Sequence, residues 1–332
     1  MTMAPGPSTK VEPLTADATH PYVREELAGR SLHFSMSAIQ SRMQILKPDV
    51  LELEYTRAMM GWLMLRPGAE RLAMIGLGGG SIAKFCHRHL PRTSMLVVEI
   101  DARVIALRDV FHVPHDGTRF RVVEDDGSRF IARTDERFDI LMVDAFDADG
   151  MPAALGTQRF YDDCLDVLRP DGLLVVNLHA GHPQHSVYLG RIRRSFGEQV
   201  LRVDDRDGSN SVIFAAKGDT LIRPPACCAL RDSPVGRPGG LNRQPACCAL
   251  GDSPLGRPGG LIRHPSCCAL RNSLLGRPGG LMHAGSGSLR KPAALADEPW
   301  RELRGAFSRL ASALSRTRGA GAAAATSKAS AP

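Results

Sequence analysis

Five short apolar runs mark out the centre of the chain: RLAMIG, SMLVVE, FRVVED, FDILMVD and GLLVVN. Each is rich in Val, Ile, Leu or Met and is bounded by charged or turn-forming residues, which predicts buried strands. Between them SIAKFCHRHL, ARVIALRDVF and RFYDDCLDVL space their apolar residues at helical intervals. Strands alternating with helices predict a mostly parallel sheet covered on both faces. A later pair, QVLRV and SVIFAA, is joined by DDRDGSN. The Asp-Gly step favours a tight turn and predicts an antiparallel hairpin. The outline is five parallel strands closed by an antiparallel pair.

That outline predicts an α/β fold with a methyltransferase-like Rossmann sheet and a small N-terminal β-rich region. Residues 1–25 have the composition of a disordered N-terminus. Residues 26–66 form the β-rich region, with alternation around Val50, Leu51 and Leu53. Its last piece, TRAMMGWLMLRP, predicts a helix ended by Pro67. Residues 67–220 form a nucleotide-binding catalytic domain.

At Arg223 the pattern changes. RPPACCALRDSPVGRPGGLN, RQPACCALGDSPLGRPGGLI and RHPSCCALRNSLLGRPGGLM repeat with a period of 20 residues. A solenoid needs units that bury a face against each other. Short apolar patches broken by Pro and Pro-Gly-Gly favour a disordered low-complexity insertion over residues 221–283 instead. Residues 284–332 resume with EPWRELRGAFSRLASALS, where Trp300, Leu303, Phe307, Leu310 and Leu314 make one helical stripe. It reads as a helix docked on the body, with a membrane-surface helix as the weaker reading. The last residues, GAGAAAATSKASAP, are expected to fray.

Charge changes the picture only after division. The chain carries +7, but from Arg223 onward there are 16 Lys/Arg against 5 Asp/Glu, and before it 26 against 30. The expected folded body is therefore mildly acidic, which argues against a nucleic-acid footprint. Of the 8 cysteines, Cys86 and Cys164 stand alone in the body. Cys227/Cys228, Cys247/Cys248 and Cys267/Cys268 are adjacent pairs that recur with the repeat. Neither pattern resembles a disulfide framework or a zinc-ligand spacing. No leader-like or membrane-spanning run stands out, so the expectation is a soluble cytoplasmic protein with no membrane partner.

Candidate chemistry gathers at the strand ends. Gly76, Gly78, Gly79 and Gly80 follow the first run, where backbone amides can approach a ligand. Glu99 closes the second run, at the spacing of an acid that accepts from ribose hydroxyls. Asp125 or Asp126 closes the third and can accept from an adenine amino group. Ligands of open α/β sheets bind at these carboxyl ends. The set points to an adenosine moiety; a nicotinamide dinucleotide remains a competitor, since Glu99 suits either. Asp144 closes the fourth run, with Asp147 three residues on. A carboxylate there can take a proton from an amine or hold an ammonium ion.

IGLGGGSIAKF, VVEID, VVEDDG, FDILMVDAFDADGMP and LRPDGLLVVN together resemble the spermidine synthase-like branch of the aminopropyltransferases, over roughly residues 31–217. The resemblance implies a small N-terminal β domain before a methyltransferase-like domain, and a homodimer. It implies decarboxylated S-adenosylmethionine as co-substrate and a small amine such as putrescine as acceptor, with no tightly bound cofactor and no metal. Glu99 matches the acid on the ribose and Asp126 the acid near the adenine. Asp144 matches the general base, and Asp147 an acid that holds the amine. Gln40 matches an N-terminal glutamine near the substrate cleft. The chain departs from the pattern at Ser81, where an acid usually follows the glycines. It departs again at YTRAMM, where Tyr55 is the nearest counterpart of a tyrosine–histidine–glutamate element. An S-adenosylmethionine-dependent methyltransferase and a catalytically degenerate binding protein therefore stay open.

Other signals read more plainly. His179, His182 and His185 recur every three residues, but Gly181 and Pro183 break a helical register, which favours a loop over a metal site. Cys86, Met59, Met60, Trp62 and Met64 read as core or cleft filling, and Phe160, Tyr161 and Leu165 as cover for the sheet.

Overall fold

Alternation inside each apolar run splits the core in two. The computed structural model describes residues 21–34, 39–146, 150–219, 221, 282–284, 287–289 and 291–329. The repeats, their cysteine pairs, Asp147 and most of the N-terminal stretch lie outside the described residues.

Tyr22–Glu26 (β1), Gly29–His33 (β2) and Ile39–Gln44 (β3) form an antiparallel sheet in that order. β1 thus begins inside the stretch whose composition suggests disorder. Glu54–Met59 (α1) and Trp62–Leu65 (α2) follow. Then come Arg71–Ile75 (β4), Ser81–His89 (α3), Ser94–Glu99 (β5), Ala102–Ala106 (α4), Phe120–Glu124 (β6), Gly127–Arg133 (α5) and Phe138–Val143 (β7). Gln158–Val167 (α6), Leu168–His179 (β8), His185–Phe196 (α7), Val200–Asp204 (β9) and Asn210–Ala216 (β10) complete the main domain. Met282–Ala284 (β11) and Gly287–Leu289 (β12) pair as a separate two-stranded sheet, and Asp297–Ala329 (α8) ends the chain's described part.

The large sheet has the order β6-β5-β4-β7-β8-β10-β9. The five strands from β6 to β8 run parallel, and β10 is antiparallel to both β8 and β9. All five apolar runs and the hairpin therefore stand where the pattern puts them. Leu72, Met74, Val97, Met142 and Val175 point to one face, packed with α1, α2, α3 and α8. Ala73, Ile75, Val98, Val143 and Val176 point to the other, packed with α5, α6 and α7. Strands buried on both faces read as continuous apolar runs, which is why they are legible.

Three pieces differ from the sequence reading. Val50, Leu51 and Leu53 form no strand. Side chains satisfy the backbone there instead: Leu51 N–H donates to the Glu302 carboxylate at 2.5 Å, and Arg57 donates to the carbonyls of Leu51 and Glu52. The single helix expected before Pro67 is two, because Gly61 and Leu63 bond three residues back rather than four. α5 and α7 are helices that the strand–helix rhythm did not mark. Asp126 caps α5 by accepting from the backbone N–H groups of Ser128 and Arg129. α7 opens at His185, so the third histidine lies on a helix rather than in a loop.

α8 docks as its stripe predicts and continues as helix to Ala329, past the point where fraying is expected. Leu303 and Phe307 are fully buried against the body, and Arg309 pairs with Glu54 of α1. Phe307→Ala should lower stability by about 3–5 kcal/mol through lost burial and a residual cavity. A denaturant melt of the full chain reads this; an unchanged midpoint would mean the contact contributes nothing. No described helix is long and apolar enough to cross a membrane.

Candidate active site

Two glycines make the first turn possible. Gly76 has φ +92°, and a Cβ there would sit 2.2 Å from the Asp144 carbonyl oxygen. Gly80 has φ +65°, with Val113 2.4 Å from where its Cβ would be, and it caps α3. Side chains at these places would push β4 away from β7 and the turn away from its cover.

The turn opens into a cavity of about 270 Å³ at the carboxyl ends of β4, β5, β6 and β7, faced from the other side by β3 and α1. Gln40, Tyr55, Gly76 and Gly78 line it, together with Glu99, Asp126 and Asp144. Gly80 does not line it, because its role is to turn the chain into α3. Asp125 does not line it either: its carboxylate pairs with Arg133. The structure thus separates two adjacent acids that the strand pattern by itself leaves equivalent. Asp147 lies outside the described residues.

Each of the three acids has its own environment. Glu99 is buried, and its carboxylate accepts from the backbone N–H of Leu77 at 2.8 Å and of Asp101 at 3.0 Å. Burial raises its pKa against the pull of those amides. It ties the glycine turn to the end of β5. Asp126 is held below the usual carboxylate range, first by the Ser128 hydroxyl at 2.6 Å and then by backbone amides of α5. One of its oxygens makes all three contacts with Ser128 and Arg129. Asp144 is pushed up to about 6 by burial, against hydrogen bonds from Asn177 and Tyr55 that favour the anion. The Asn177 amide nitrogen donates to Asp144 Oδ1 at 3.0 Å. Tyr55, half-buried on α1, is raised well above an ordinary phenol by desolvation and by the Asp144 charge.

Several more residues line the cavity, Ser81 among them, where the chain departs from the family pattern. Ser41 and Ser81 meet through their hydroxyls at 3.2 Å beside the glycine turn. Phe34, Ile100, Phe146 and Leu155 add apolar wall. Phe34 and Ser41 come from the N-terminal sheet, whose placement over the strand ends is a tertiary fact that no local pattern carries. The signal for Asn177 was present but unread: a polar residue at the end of GLLVVN. Among the described residues no group of three His, Cys, Asp or Glu side chains could hold a metal ion. Cys86 is buried, and burial pushes its thiol up to about 12, as expected of a packing residue.

The chain has clear relatives. The family described as "Spermine/spermidine synthase domain" matches residues 52–196. A polyamine aminopropyltransferase of Neisseria meningitidis is 33% identical over 215 residues, covering 64% of this chain and 82% of the relative. One from Chromobacterium violaceum is 33% identical, covering 62% and 79%. Among solved structures, a probable spermidine synthase from Corynebacterium glutamicum superposes with a TM-score of 0.53 at 20% identity, over 60% of this chain and 80% of that one. At that identity the likeness supports the fold alone.

Proposed function

The chain belongs to the polyamine aminopropyltransferase, or spermidine synthase, family and is a transferase of that general type, and on that premise we propose that it moves an aminopropyl group from decarboxylated S-adenosylmethionine to a small polyamine such as putrescine. The observation that carries the reading is Asp144: a half-buried carboxylate, pushed up to about 6, opening into the same cavity as Glu99 and Asp126.

In this reading Glu99 accepts from the ribose hydroxyls, and Asp126 accepts from the adenine amino group. Glu99 keeps lone pairs free beyond the Leu77 and Asp101 amides. Gly76 and Gly78 let the nucleoside lie against the backbone. Gln40 and Tyr55 line the acceptor's side, and Asp147 would hold the amine. An amine is mostly protonated near neutral pH and must give up a proton to attack. Asp144 takes that proton as the nitrogen forms its bond to the carbon beside sulfur. The carbon–sulfur bond breaks, sulfur keeps the electron pair, and 5′-methylthioadenosine leaves neutral. Residues around Asp144 align nitrogen, carbon and sulfur. The homodimer implied by the resemblance belongs to the same proposal.

The test follows release of 5′-methylthioadenosine from decarboxylated S-adenosylmethionine and putrescine as pH is varied. Asp144 acts as a base only when ionised. Turnover should therefore fall below about pH 6, tending to tenfold per pH unit. A flat profile through that range would remove Asp144 as the base.

One observation favours a second reading. Directly after the glycines the chain carries Ser81 in place of an acid, and its hydroxyl meets that of Ser41 at 3.2 Å. Hydroxyls can donate to a donor that retains its carboxylate, which suits S-adenosylmethionine and methyl transfer.

A further inference from the structure

Asn177 stands outside the cavity lining yet touches its central acid. It is 3% exposed, near the end of β8. Val176 of β8 pairs with Val143 of β7, so the next step along both strands brings Asn177 beside Asp144. Its other neighbour is Val212 of β10, which fixes its backbone in the middle of the sheet. Alternation along β8 places Asn177 on the face of Leu173 and Val175, the side on which α1 lies. Asp144 is thus held by Asn177 of β8, while Tyr55 of α1 faces the same carboxylate and its hydroxyl donates to the Gln40 carbonyl oxygen at 3.4 Å.

The amide is only half used. Its nitrogen donates to Asp144 Oδ1 at 3.0 Å, while its own oxygen is buried with no hydrogen-bond partner. A buried orphan acceptor is costly, so its presence marks a side chain placed for its donor end. Asn is a donor at one end and an acceptor at the other. With nitrogen forward it favours the carboxylate.

We propose that Asn177 is a positioning residue for Asp144, its amide nitrogen fixing the carboxylate's orientation and favouring the ionised form. The inference rests on Asp144 being the base. Asn177 acts through Asp144 and does not touch the substrates. Tyr55 faces the same carboxylate as a titratable neighbour, and Glu99 lines the same cavity.

The test reads Asp144 directly. The full chain is labelled with carboxyl-¹³C aspartate, and the Asp144 resonance is assigned by its loss in Asp144→Asn. Its titration is then compared between the native chain and Asn177→Leu, with Asn177→Ala as the smaller replacement should Leu not fold. The titration midpoint should rise by about one pH unit when the donor is lost. The acid limb of turnover with decarboxylated S-adenosylmethionine and putrescine should move with it. An unmoved midpoint overturns the positioning role and leaves the base assignment standing. A midpoint that moves while the acid limb stays shows that Asp144 is not the base, and the positioning role falls with that reading.

Discussion

Asp144→Asn should lower turnover by about 10²–10⁴-fold, the usual contribution of a positioned general base. The replacement keeps the side chain's shape at the tip of β7 and can still accept from Asn177. It cannot take a proton from an amine. Nothing in the nucleoside's recognition passes through this carboxylate in the account above. Affinity for 5′-methylthioadenosine, read by calorimetry, should therefore stay within about threefold, a difference well under one hydrogen bond. Loss of both properties would mean that Asp144 holds the turn together rather than acting in chemistry. That alternative has a concrete form: the Asp144 backbone already contacts Gly76 closely and its N–H donates to Ile75 O at 2.9 Å. The Asn variant leaves those backbone contacts intact, so a loss of both would have to come through the side chain's tie to Asn177 of β8.

Glu99→Ala should weaken 5′-methylthioadenosine binding by about 100-fold, from the loss of charge-assisted hydrogen bonds worth roughly 1.5–3 kcal/mol each. Two effects add. The ribose loses its acceptor, and the Leu77 and Asp101 amides lose the carboxylate that fixes the glycine turn. Glu99→Gln tells them apart, since it can keep one acceptor for a backbone amide while removing the charge. Calorimetry on both variants checks the prediction. Unaltered affinity in Glu99→Ala would take Glu99 out of the site.

Much of this site could be read from the chain because it hangs on parallel strands. RLAMIG, SMLVVE and FDILMVD are buried on both faces, so apart from Asp139 their inner residues are apolar and their ends stand out. An acid closing such a run, as Glu99 and Asp144 do, has one place to be. Asp125 and Asp126 were not separable, because the choice depends on which one caps α5 and which one turns out to Arg133. Ser41, Phe34 and Tyr55 reach the cavity from segments whose spatial position follows from packing over the strand ends. Tyr55 was named only through resemblance. Asn177 was hidden by its type, since an asparagine after four apolar residues also reads as an ordinary turn signal. α8 was legible because a stripe from Trp300 to Leu314 has little use except burial, and the structure buries it on α1 and β9.

The claim underneath all of this is that an adenosyl sulfonium lies across the strand ends, with Asp144 serving the amine that attacks it. Mass spectrometry of the products tests it most directly, with putrescine supplied beside either decarboxylated S-adenosylmethionine or S-adenosylmethionine. The account predicts 5′-methylthioadenosine and an aminopropylated amine in equal amounts from the decarboxylated donor, and neither from Asp144→Asn. A methylated acceptor with S-adenosylhomocysteine, formed only from the intact donor, would contradict it.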